Sequence, residues 1–132
     1  MDADEKVKYW LDLAEYDIEI AESLNKLKKY LYVGFFCHLI IEKTIKAYFW
    51  FKVKSDPPYT HNLQLLASKS GLSDLMSEVN INFLNKLMPL NIEGRYPSDK
   101  ELLMKRLDEK TVNEILNNTI ELQKWIKALI KY

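Results

Sequence analysis

At 132 residues the chain has room for one domain, residues 1–132. Hydrophobic residues make up 48% and charged residues 29%, ordinary globular usage that argues against disorder. The 19 basic and 19 acidic residues cancel, so the overall balance gives no sign of the phosphate-neutralising surface a general nucleic-acid binder needs.

The first helix is predicted from Asp4 to about Leu24. Val7, Trp10, Leu11, Ala14, Ile18, Ala21 and Leu24 fall at three-to-four spacing, the mark of an amphipathic helix. Ala14 and Ala21 leave room for a close partner helix, and Asp17 lies on the same stripe, an odd place for a carboxylate. This segment is acidic, whereas residues 26–54 carry seven lysines against Glu42 alone. Two neighbouring segments of complementary charge is the simple reading; a local basic patch that contacts phosphate is the functional one.

The second helix is predicted from Tyr30 to Lys52. Leu31, Phe35, Phe36, Leu39, Ile40, Ile45, Tyr48 and Phe49 cover most of its circumference, which suits a helix central to a bundle or shared between two copies. Asp56-Pro57-Pro58 is expected to end it. Lysines and Glu42 interrupt the apolar run, so no membrane span is expected. The single cysteine, Cys37, rules out an internal disulfide and a Cys-rich zinc site. With an acidic N-terminus and no apolar leader, a reducing cytoplasm is the expected location.

Thr60 is expected to cap a short third helix carrying Leu63, Leu65, Leu66 and Ala67, closed by Gly71, and Ser73 to cap a further turn around Leu75 and Met76. A helix over residues 80–91 follows. Residues 92–100, punctuated by Gly94 and Pro97, read as a loop. The last helix starts near Asp108 with Val112, Ile115, Leu116, Thr119, Ile120, Leu122, Ile126 and Leu129. Nothing alternates with period two, so no sheet is predicted. The fold class is all-α.

Catalytic templates fail by absence. The chain has no Gly-rich phosphate loop, no dinucleotide fingerprint, no nucleophile elbow and no H-E-x-x-H. Two histidines leave little for a transition metal, no acidic cluster sits in a loop to suggest magnesium, and no cofactor is implied. Cys37 and His38 are adjacent on a helix and diverge by about 100°, so they cannot form a dyad.

Three constellations carry chemistry. His38, Glu42 and Lys46, spaced by four, form one polar line on the second helix, flanked by Lys43. The line either supports the helix or grips a phosphate or pairs with Asp17. His61, near a helix start, either helps to hold the loop or adds to an anion site. Arg95, beside Tyr96 in a loop, either ties the bundle together or offers its planar fork to phosphate while Tyr96 stacks on a base. Lys43, Lys46, His61, Arg95 and Tyr96 are thus the candidate ligand-binding residues, with Asp17, His38 and Glu42 as structural polar groups.

Trp10, Ala14, Asp17 and Ala21, the run F-F-C-H-L-I-I-E-K-T-I-K-A over residues 35–47, His61-Asn62-Leu63 and the G-R-Y-P of residues 94–97 together resemble the HEPN domain family, in its stand-alone prokaryotic type with an R-Y-P motif. Its most specific part is the E-K-x-x-K-A core, Glu42, Lys43, Lys46 and Ala47. The resemblance implies an up-and-down bundle of four or five helices, usually a homodimer, and a link to nucleotides or RNA. It also implies a small nucleotidyltransferase as partner, some such pairs acting as toxin and antitoxin. Toxic members resemble metal-independent ribonucleases that use an arginine followed four to six residues later by a histidine. Here Arg95 and Arg106 both come after His38 and His61, so that motif is absent in the required order and its catalysis does not carry over. A binding module, a ribonuclease with a non-standard His/Arg site, and a scaffold are the competing functions.

Dimerisation has its own argument. A domain this small buries only about two-thirds of its unfolded surface. Tyr48, Trp50, Phe51, Trp125 and Tyr132 then leave more aromatic surface than a small bundle covers.

Overall fold

A computed structural model describes residues 1–131, so Tyr132 lies outside the described residues. Six α-helices and no strands make up the bundle among them. Helix α1 (Ala3–Lys26) starts in a capping box: Asp2 Oδ1 accepts from the Glu5 N–H at 2.8 Å, and Glu5 Oε1 accepts from the Asp2 N–H at 3.2 Å. It turns through Lys28, in the left-handed region at φ 59°, into α2 (Tyr30–Val53).

Helix α2 is the axis of the molecule. It packs against α1, α3 (Leu63–Ser70), α5 (Pro97–Arg106) and α6 (Glu109–Leu129), which explains why its apolar residues run almost all the way round. Gly34 lets the chain come close: a Cβ there would sit 3.3 Å from Leu107 Cδ1 and 3.5 Å from Leu90 Cδ1. The remaining helix, α4 (Glu78–Leu87), contacts α3 and α2. No helix among the described residues is long and apolar enough to cross a membrane.

Several boundaries differ from the sequence reading, each for a local reason. Helix α2 stops at Val53, because Lys54 takes the left-handed conformation at φ 60° and returns its N–H to the Trp50 carbonyl. The prolines at 57 and 58 merely follow. Asn62, not Thr60, caps α3: its side chain accepts from the Leu65 N–H at 3.0 Å, while Thr60 Oγ1 accepts from the Asn62 N–H at 3.1 Å. Ser73 caps nothing; it lies inside a short 3-10 helix, Leu72–Leu75, that follows Gly71. Helix α4 begins two residues earlier than expected because Ser77 caps it, and it ends at Leu87 before a 3-10 turn, Met88–Leu90. The segment read as a loop through residue 100 already becomes α5 at Pro97, whose fixed φ suits a first helical position.

Tyr48 is a correction to the dimer argument, since it is buried inside its own chain at 2% exposure. Trp50, Phe51 and Trp125 remain partly exposed against the core.

Candidate functional site

The polar line on α2 folds into a holder for the loop that follows it. His38 and Glu42 are 1% and 3% exposed and one helical turn apart, so both point the same way. His38 Nε2–H donates to the His61 carbonyl at 3.1 Å, fixing the loop backbone. Glu42 Oε1 accepts from His61 Nδ1 at 2.9 Å, fixing the ring. Glu42 Oε2 accepts from Lys46 Nζ at 2.9 Å, and Lys46 in turn lies 5.1 Å from the Trp10 ring centre.

These bonds set the tautomers. A carboxylate can only accept, so the proton of a neutral His61 ring sits on Nδ1 and Nε2 keeps its lone pair. His38 carries its proton on Nε2, and its Nδ1 is left without a hydrogen bond, 3.6 Å from Glu42 Oε1. Burial pushes the His38 pKa below its ordinary value, outweighing the attraction of Glu42 and the bond to the His61 carbonyl.

His61 is half exposed and opens onto a cleft of about 380 Å³ that Asn62, Asn91, Glu93 and Arg95 also line. Gly94, at φ 73°, makes the turn that brings Arg95 there. The Arg95 N–H closes on the Ile92 carbonyl at 3.3 Å, and its Nε–H donates to the Asn91 carbonyl at 2.8 Å. That bond holds the guanidinium by one edge, and Arg95 makes no ion pair among the described residues. Glu93 opposes it with a carboxylate 3.9 Å from His61 Nε2.

The structure therefore brings His61 and Arg95 into one cleft and joins Lys46 to it through Glu42. Lys43 goes elsewhere. It lies one residue further round α2, faces α1 and binds Asp17 at 2.6 Å, which accounts for the carboxylate on the apolar stripe. Tyr96 is 76% exposed at the start of α5, beside the cleft but not in its lining. Sequence reasoning missed Asn62, Asn91 and Glu93. Only the proximity of Asn91 and Glu93 to Arg95 in the chain hinted at them. Among the described residues no group of three or more His, Cys, Asp or Glu is placed to hold a metal ion.

A carboxylate-oriented imidazole with a free nitrogen can accept or donate a proton, and a guanidinium beside it can hold an anion. The HEPN domain model matches residues 7–129 of the chain. Among solved structures the chain is similar to the crystal structure of ST0689, an archaeal HEPN homologue, with 21% identity and a TM-score of 0.64 over 95% of this chain and 98% of that one. A likeness at that identity is one of fold. No protein of curated function matches the sequence.

Proposed function

The chain belongs to the HEPN domain family, and from that premise we propose that it is a nucleotide- or RNA-binding module, the partner of a small nucleotidyltransferase in a two-component, toxin–antitoxin-like system. The observation that carries the reading is the convergence of His61 and Arg95 on one open cleft, from loops more than thirty residues apart in the chain. Arg95 has donors to spare for a phosphate, Asn62 and Asn91 add amide groups, and Tyr96 stands nearby to stack on a base. Lys46 stands behind the cleft, its ammonium paired with the Glu42 carboxylate that holds His61. Lys43 is outside the proposed site, its ammonium engaged by Asp17.

The module is proposed to act as a homodimer, supported by the aromatic surface that Phe51 and Trp125 leave partly open. Sedimentation at tens of micromolar checks this, and a monomer mass alone overturns it. Calorimetric titration with ATP, GTP and short RNA tests the binding function. Binding that Arg95→Ala weakens at least about tenfold supports it. No binding at millimolar concentration, with no nucleotidyltransferase co-purifying from the native host, overturns it.

One observation favours a second reading, ribonuclease activity. Glu42 holds His61 with Nε2 facing the cleft, the orientation of a general base that would take the proton of a ribose 2′-hydroxyl as it attacks the adjacent phosphorus, the P–O5′ bond breaking and the leaving 5′-oxygen taking a proton from water. RNA cleavage in the presence of EDTA that disappears in His61→Ala supports this reading. Cleavage unchanged in that variant, or none in the wild type, removes it.

A further inference from the structure

A second groove lies on the other side of the loop that carries His61. It encloses about 210 Å³ between α1, α2 and that loop, with Trp10, Trp50, Pro57, Pro58 and Tyr59 among its walls. Each indole has a lysine over it: Lys46 at 5.1 Å from the Trp10 ring centre and Lys6 at 5.4 Å from that of Trp50. Both tryptophans stay partly exposed, and Tyr59 is fully exposed.

We propose that this groove is a base-stacking subsite for a single-stranded nucleic acid whose neighbouring phosphate occupies the His61–Arg95 cleft. The inference rests on the nucleotide binding proposed above and adds a location and a ligand form to it.

Three features point to this ligand. The chemistry sets two partly exposed indoles and the fully exposed Tyr59 ring beside lysines, and a base that stacks on Trp50 displaces the flexible Lys6 ammonium towards its own backbone phosphate. The volume suits one heterocycle and is smaller than the roughly 300–1,000 Å³ of a site for a whole drug-sized molecule. The third feature is continuity. Tyr59 lines the groove and Thr60, the next residue, lines the cleft, so one loop borders both. Lys46 lines the groove, lies over Trp10 and donates to the Glu42 carboxylate that holds His61, so one ion pair braces both. A strand passing over the loop at Tyr59 would meet an aromatic group at the crest and one subsite on each flank. The two prolines fix the backbone of the wall, so little freedom is lost on binding. Asp56, the one acid in the lining, can accept from an exocyclic amino group of a base.

The test compares AMP with a six-nucleotide oligoadenylate by calorimetry, using tryptophan fluorescence as a second readout. The oligomer is expected to bind about tenfold tighter than AMP or better, with indole quenching. Trp10→Leu should remove most of that advantage and leave AMP affinity unchanged, while Arg95→Ala weakens both ligands. Lys6→Gln changes a side chain with no ion pair among the described residues, so it keeps the test decisive if the Trp10 variant folds poorly. It should reduce oligomer affinity and its salt dependence, but not AMP affinity. AMP binding without any gain for the oligomer, or a gain that survives both groove variants, overturns the subsite alone. Oligomer binding that depends on Trp10 while AMP does not bind and Arg95→Ala has no effect overturns the phosphate cleft instead.

Discussion

Replacing Glu42 with glutamine tests the central claim about the site. Glutamine keeps the shape of the side chain, so the packing around this 3% exposed position is preserved and only charge and proton count change. The carboxylate serves Lys46 at 2.9 Å and His61 at 2.9 Å. An amide oxygen can serve one of them, and Lys46, which has only donors to offer, keeps it. The amide NH₂ then turns towards the histidines. There it can donate to His38 Nδ1, which has no partner in the wild type. His61, now facing a donor, has to present Nδ1 as an acceptor and move its proton to Nε2. A charge-assisted hydrogen bond is worth about 1.5–3 kcal/mol, and Lys46 can re-solvate in part, so the net loss should be about 2 kcal/mol. For a domain of this size that lowers Tm by about 6–8 °C. Urea denaturation measures the energy, and long-range ¹H–¹⁵N correlation spectra of the histidine rings report the tautomer. An unchanged His61 tautomer together with unchanged stability would refute the claim that Glu42 sets the face His61 turns to the cleft.

Stability should also fall as pH drops below about 6.5. The His38 pKa is lowered in the folded state, so from the ordinary histidine value downwards the unfolded chain binds a proton that the folded chain refuses. The slope should approach about 1.4 kcal/mol per pH unit until the folded-state pKa is reached, and His38→Gln should flatten it. A pH-independent urea midpoint between pH 7.5 and 5 contradicts this. Cys37 should resist thiol reagents in the native protein, because it is buried and its pKa is pushed up to about 12, leaving about one thiolate in 10⁵ at pH 7. Rapid labelling without denaturant would show that the thiol is reachable after all. Asp17→Ala should cost about 3 kcal/mol by stranding Lys43, and Asp17→Leu with Lys43→Met should recover most of that. Lys43→Met should leave nucleotide affinity unchanged, and a loss of affinity in calorimetry would return Lys43 to the ligand site.

The parts of this molecule that could be read from sequence are those with a period or a cap. The stripes of α1 and α6 and the high apolar content of α2 put those helices within one or two residues of their observed ends. Helix α5 was hidden because only Leu103 of its residues is buried, so it has almost no stripe, and Gly94 and Pro97 punctuate it like a loop. Thr60 and Asn62 are both capping residues two positions apart, and propensity alone does not choose between them. The His38–Glu42–Lys46 line was legible from its spacing. Its partners were not, because they depend on where a loop without periodicity folds back. One step along a helix is about 100° of rotation, and that step separates Lys43, which faces Asp17 on α1, from Glu42, which faces His61.

Chain order does not decide whether an arginine and a histidine can work together. Arg95 and His61 stand in the reverse of the arginine-then-histidine order that the sequence resemblance ties to ribonucleases, yet two loops bring them to one cleft. A loop residue costs entropy to hold still, about 1–2 kcal/mol for its backbone alone. Here the holding groups come from the most buried helix of the molecule, which carries two polar side chains in its interior to supply them. A scaffold would satisfy such groups within the core. His38 and Glu42 instead direct their bonds outward, one to the backbone of His61 and one to its ring. Two buried side chains that fix the orientation of a half-exposed ring fit a role for that ring in the cleft better than one in the packing of α2.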